Sequence, residues 1–227
     1  MHSLRVKVCG LREEEHVIAA AEAEVDYVGF VLAPSRRQVT QERARELVSI
    51  LKGCSHHPQA IGVFVNEPTS VVNRAADYCG FDAVQLSGNE HAAYARLVER
   101  PVICTVHVTA NMTADDVDEA ICRTDDMRLG SGLILLDTGL KSAFGGTGLT
   151  FNWDIARCVS QSHQVLIAGG LTPANVGELI SYVRPFGVDV SSGVERDGRK
   201  DASLIRAFVR EARRAEQENN HAHTDGS

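Results

Sequence analysis

Apolar residues along the chain follow two alternating patterns. Short runs rich in valine, isoleucine and leucine are separated by longer stretches in which apolar residues recur at helical spacing. Eight runs have strand character: Arg5–Val8, Tyr27–Val31, Ala60–Val65, Ala83–Leu86, Val102–Val106, Leu133–Leu136, Val165–Ala168 and Val188–Val190. The clearest helical stretches are Glu13–Ala23, Gln41–Leu51, Ser70–Tyr78, Glu90–Glu99 and Ala202–Arg213. Thr40 is placed to cap the second helix. Thr172-Pro173 sets a capping hydroxyl before a proline at a first helical position, where the missing N–H costs nothing. Strands alternating with helices imply parallel strands joined by right-handed crossovers. Eight units fit a closed sheet, so the expected fold is α/β, a single (β/α)8 TIM barrel over residues 1–215, rather than an open doubly wound sheet. The segment after the first strand lacks the G-x-G-x-x-G of a dinucleotide fold. Residues 216–227 are polar and rich in Asn and His, and are expected to form a disordered tail.

Composition narrows the partners. The 227 residues carry a net charge of -7, which argues against a nucleic-acid partner, since such a surface needs a basic face. The six cysteines show no C-x-x-C pair, so no metal site and no redox motif is expected. The N-terminus has no basic head followed by an apolar run, and no stretch approaches the roughly 20 apolar residues of a membrane span. The expectation is a cytoplasmic protein with no membrane association.

In a barrel of this kind the active site lies at the C-terminal ends of the strands. The residues that follow the eight strands include Cys9-Gly10, the 34–39 loop, Asn66, Ser87-Gly88, His107, Asp137-Thr138, Gly169-Gly170 and Ser191-Ser192-Gly193, a polar and glycine-rich rim. Gly145-Gly146-Thr147-Gly148, Gly169-Gly170 and Ser192-Gly193 follow strands six, seven and eight. Glycines there allow backbone N–H groups to approach phosphate oxygens, and the last two loops are the usual phosphate position. Asp137 ends an apolar run, where a carboxylate is costly unless paired or catalytic. Lys7 stands two residues before Cys9, so both should point into the mouth, and a lysine beside a thiol favours thiolate. Cys9 is thus a candidate base or nucleophile, or else a small core residue. Arg36 and Arg37 are either solvated charge or a fork for a carboxylate. His107 has no partner spacing and is read as structural or exposed.

These segments, in order, resemble the phosphoribosylanthranilate isomerases of tryptophan biosynthesis. The resemblance runs from Lys7 to about Phe208. It rests on Lys-Val-Cys-Gly-Leu at Lys7–Leu11, Ser35-Arg36-Arg37, Gly62–Asn66, Val84-Gln85-Leu86, Leu135–Thr138, Gly145–Gly148, Phe151-Asn152-Trp153, Ala168–Leu171 and Asp189–Glu195. It implies an Amadori rearrangement with Asp137 as general acid and Cys9 as general base, and with no cofactor. It further implies that Arg37 holds the anthranilate carboxylate, that Asp189 and Lys7 lie in the substrate site, and that Gly146, Thr147, Gly148, Gly169, Gly170, Ser192 and Gly193 surround the phosphate. The partner would be a small phosphosugar and the protein a monomer or homodimer. Ser87 stands where the family usually has histidine, and Gln38 where it usually has an aromatic residue; both departures fall at the anthranilate end. Rival readings are a non-catalytic phosphate-ligand barrel, which has no need of both Cys9 and Asp137, and a related phosphosugar isomerase of histidine biosynthesis, which has aspartate in place of Cys9. Indole-glycerol-phosphate synthase would need a lysine-rich mouth that the chain lacks.

Overall fold

The computed structural model describes residues 3–125, 133–137 and 153–224. Eight parallel strands close into a barrel in chain order: β1 (Arg5–Cys9), β2 (Tyr27–Val31), β3 (Gln59–Phe64), β4 (Ala83–Leu86), β5 (Val102–His107), β6 (Leu133–Asp137), β7 (Val165–Ala168) and β8 (Gly187–Val190). The helices are α1 (Glu14–Glu22), α2 (Gln41–Gly53), α3 (Thr69–Cys79), α4 (Ala92–Ala95), α5 (Ala114–Asp125), α6 (Trp153–Ser160), α7 (Val176–Val183) and α8 (Ala202–Thr224). A 3-10 turn (Ser192–Val194) and a hairpin of β9 (Glu195–Arg196) and β10 (Arg199–Lys200) stand between β8 and α8. Among the described residues no helix is long and apolar enough to cross a membrane.

Two apolar layers hold the barrel. Val6, Val8, Val28, Phe30, Val84 and Val188 face outward against helix residues such as Leu47, Val72, Leu179 and Phe208. Ile61, Ala83, Ile103, Leu135, Leu166 and Ala168 fill the inside. Side chains alternate along a strand, so each run is buried on both faces, which is why the strands read as continuous apolar stretches. The β1–β8 pair closes the ring, with Lys7 opposite Asp189.

Three expectations need correction. The helix expected over Glu90–Glu99 shrinks to Ala92–Ala95, because the Glu90 carboxylate accepts the backbone N–H groups of Asn66 and Gly88 and serves the loop instead. The Thr172 hydroxyl does accept a backbone N–H, that of Ala174 at 3.3 Å, but Pro173 lies in a turn and α7 starts only at Val176; Asn175 Oδ1 accepts the Thr172 N–H and its amide donates to the Gly170 carbonyl. The expected disordered tail is helical as far as Thr224. Its polar residues find backbone partners on the bottom of the barrel: Glu216 accepts the Leu4 N–H at 2.6 Å and Asn219 donates to the Ile180 carbonyl at 3.2 Å. Thr40 caps α2 as expected, accepting the Arg43 N–H at 3.1 Å.

Candidate active site

Residue parity decides what lines the mouth. Continuing each strand's inward positions toward its C-terminal end, the apolar layer gives way to polar residues: Lys7 and Cys9 on β1, Gln85 and Ser87 at β4, Thr105 and His107 on β5, Asp137 on β6, and Asp189 and Ser191 at β8. These neighbours bond to one another. Gln85 Nε2 donates to Ser87 Oγ at 2.9 Å, and Ser87 Oγ lies 3.0 Å from Thr105 Oγ1.

Lys7 is fully buried, and its Nζ donates to Asp189 Oδ1 at 3.0 Å. An ion pair taken out of water survives only with close geometry and satisfied hydrogen bonds. Burial alone pulls the Lys7 ammonium down, but Asp189 and Cys9 beside it outweigh that and hold its pKa above the ordinary lysine value. Burial raises the Asp189 carboxyl, against the opposing charge of Lys7. Cys9 is also buried, opposite Gly29, where a methyl group would lie 2.7 Å from Sγ; the glycine leaves the thiol its place. Burial pushes the Cys9 thiol up; Lys7 and Lys200 pull it down, and Asp189 pushes it up again. The net shift is upward. The expectation that Lys7 makes Cys9 more acidic is therefore corrected: Asp189 offsets the lysine's charge, and burial outweighs the remainder.

Asp137 ends β6 in register with His107 and Ala168, half-exposed at the mouth. His107 Nδ1 lies 4.0 Å from Asp137 Oδ2, and Nε2 lies 3.1 Å from the Ser87 carbonyl. The two arginines of the β2 loop differ. The Arg36 side chain is 58% exposed and the Arg37 side chain 23%. Arg37 binds the Glu195 carboxylate through Nε at 2.6 Å and Nη2 at 3.2 Å. Gly169 and Gly170 both have positive φ, 95° and 67°, in the turn after β7, a conformation that favours glycine. Gly193 packs so tightly there that an added methyl group would meet the Leu171 carbonyl oxygen at 1.7 Å. Gly146, Thr147 and Gly148 lie outside the described residues. The site therefore brings Lys7, Cys9, Asp137 and Asp189 to the inward-facing positions of one mouth, with Arg37, Gly169, Gly170, Ser192 and Gly193 in loops at its rim.

Sequence reasoning missed Lys200 and gave Glu195 no task. Lys200 is buried and its Nζ donates to the Ser191 carbonyl at 2.8 Å and to Glu195 at 3.0 Å. A lysine in a short charged stretch reads as solvated, and nothing in the local pattern marks it. His107 carried one signal, its place directly at a strand end.

The profile of the family described as N-(5′-phosphoribosyl)anthranilate (PRA) isomerase matches residues 6–211. The chain belongs to this isomerase family. A phosphoribosylanthranilate isomerase from Dehalococcoides mccartyi is 40% identical over 213 residues, covering 94% of this chain and 97% of that one. The crystal structure of the Thermotoga maritima phosphoribosylanthranilate isomerase superposes with a TM-score of 0.79 at 35% identity, covering 93% of this chain and 99% of that one. A phosphoribosylanthranilate isomerase in complex with reduced 1-(o-carboxyphenylamino)-1-deoxyribulose 5-phosphate is similar at a TM-score of 0.77 and 33% identity, with the same coverage of 93% and 99%.

Proposed function

We propose that the barrel mouth performs the Amadori rearrangement with Asp137 as general acid and Cys9 as general base. The reaction turns N-(5′-phosphoribosyl)anthranilate into 1-(2-carboxyphenylamino)-1-deoxyribulose 5-phosphate, a step of tryptophan biosynthesis. The observation that carries the assignment of roles is placement: Cys9 at the end of β1 and Asp137 at the end of β6 stand at inward-facing positions of the same mouth, three strands apart. The aldose-to-ketose change is internal to the substrate, so it asks for one acid and one base. Asp137 protonates the ring oxygen, the C1′–O bond breaks, and the nitrogen lone pair forms an iminium. Cys9 as thiolate then takes the C2′ proton, and the electron pair moves to give an enolamine. Gain of a proton at C1′ and loss of the one on the C2′ hydroxyl yield the aminoketose.

Arg37 holds the anthranilate carboxylate through the guanidinium edge that Glu195 leaves free. Asp189, with Lys7 behind it, lies beside the substrate amine. Backbone amides around Gly146–Gly148, Gly169-Gly170 and Ser192-Gly193 take the phosphate. A small phosphosugar is the only partner this chemistry needs. The net charge of -7 fits an enzyme that does not bind nucleic acid.

Replacing Asp137 by Asn keeps the shape and removes the proton. Turnover of Asp137→Asn should fall by roughly 10²–10⁴, while the reduced product analogue binds as before. The change in anthranilate fluorescence reads the rate. An Asp137→Asn protein that keeps the parent's turnover would rule Asp137 out as the acid.

A further inference from the structure

Glu195 takes no proton in the mechanism above, yet it is one of the most heavily engaged side chains among the described residues. Its carboxylate is 5% exposed and gathers three cations. Arg37 approaches with Nε on Oε1 at 2.6 Å and Nη2 on Oε2 at 3.2 Å. Lys200 Nζ donates to Oε1 at 3.0 Å, and Arg36 Nη2 to Oε2 at 2.7 Å. Glu195 opens β9, directly after the 3-10 turn that follows β8. One carboxylate therefore ties the loop after β2 to the end of β8. Lys200 continues the tie: it holds the Ser191 carbonyl at 2.8 Å, and Ser191 Oγ donates to the Cys9 carbonyl at 3.2 Å.

The geometry at Arg37 is specific. A guanidinium offers two edges for a carboxylate, Nε with one Nη, and the two Nη together. Glu195 occupies the first edge and so fixes the plane of the group. The stem of Arg37 is also constrained. Its Cδ lies 2.6 Å from where a side chain on Gly10 would begin, and Gly10 itself has φ +81°. Arg37 thus passes over the residue next to Cys9 with its plane set from behind.

We propose that Glu195 is the positioning residue for Arg37, holding the free edge of the guanidinium toward the mouth so that the site selects a substrate bearing an aryl carboxylate. This rests on the assignment of Arg37 made above. A merely structural clamp between two loops would affect every ligand of the mouth alike. A positioning role affects only ligands that carry the carboxylate.

The test is a pair of titrations. The first ligand is reduced 1-(2-carboxyphenylamino)-1-deoxyribulose 5-phosphate. The second is its phenylamino counterpart without the carboxyl group. Glu195→Gln keeps the shape of the side chain and removes its charge. It should weaken binding of the carboxylated ligand about ten- to a hundredfold, as loss of a charge-assisted hydrogen bond does, and leave the second ligand unchanged. Glu195→Asp keeps the charge but shortens the reach by one methylene, and should show the same selective loss in smaller measure, which keeps the test open if Glu195→Gln folds poorly. Equal loss for both ligands, or loss for neither, overturns the proposal. Arg37→Ala separates this from the reading it rests on. If Arg37→Ala still prefers the carboxylated ligand as the parent does, the assignment of Arg37 has failed. If Arg37→Ala loses that preference while both Glu195 variants keep it, only the role of Glu195 has failed.

Discussion

Cys9 is a base whose surroundings oppose it. Burial raises its pKa, and Asp189 removes much of the help that Lys7 would give. Two substitutions should move it in opposite directions. Asp189→Asn removes the carboxylate, leaves the Lys7 charge uncompensated, and should lower the Cys9 pKa. Lys7→Met should raise it. The pH dependence of Cys9 alkylation reads both, against an ordinary thiol value of about 8.5; a Cys9 pKa that rises in Asp189→Asn would contradict this account of the site. Glu195 shows the opposite balance. Burial would raise its carboxyl, but the hydrogen bond from Arg37 and the charge of Lys200 prevail and hold it below the ordinary glutamate range. The stability it contributes is therefore fully present above its unfolded pKa of about 4.3, and is lost as pH falls through the lower folded value. Glu195→Gln should flatten the acid limb of the unfolding midpoint against pH, and an unchanged limb would show that the three cations add nothing to stability. That Lys7 and Cys9 share a face was legible from their spacing of two. The direction of the Cys9 shift was not, because Asp189 arrives from a strand 182 residues away.

Strands were more legible than helices. Every strand was bracketed to within a residue or two, because burial on both faces makes each a continuous apolar run with little freedom in its ends. The helices failed where polar side chains chose loop or backbone partners. Glu90 is a good helix former that instead serves backbone amides of the 66–88 region, and Asn175 takes over the turn that Thr172-Pro173 marked. The end of α8 failed for the same reason in reverse. Its composition reads as solvated, yet Glu216 accepts the Leu4 N–H and Asn219 donates to the Ile180 carbonyl. Ending the chain at Ala215 should therefore cost about 1–3 kcal/mol in urea unfolding, the penalty of leaving such groups without partners. Ending it after Asn219 should cost much less. If both truncations unfold with the parent, the docking of α8 onto the barrel bottom carries no stability.

At the scale of the whole molecule, barrel closure is what assembles the chemistry. The β1–β8 seam brings Lys7 and Asp189 together, and the loops after β7 and β8 pack so closely that Gly193 has no room for a side chain. Gly193→Ala should consequently lose stability as well as substrate affinity, since the methyl group meets a backbone carbonyl that cannot turn aside; thermal unfolding with and without inorganic phosphate checks both. The fold and the order of the mouth residues were legible because they depend on repetition and strand position. The cluster of Glu195, Arg37 and Lys200 was not, because it depends on how a hairpin after β8 folds back over the loop after β2. The measurement that bears most directly on the central claim is the single-turnover rate of Cys9→Ser. A serine hydroxyl is far too weakly acidic to supply the anion, so the rate should fall by about 10²–10⁴, with part of it restored in Cys9→Asp, whose carboxylate is a competent base. Turnover by Cys9→Ser at close to the parent rate would contradict the account and leave Cys9 as a buried packing residue.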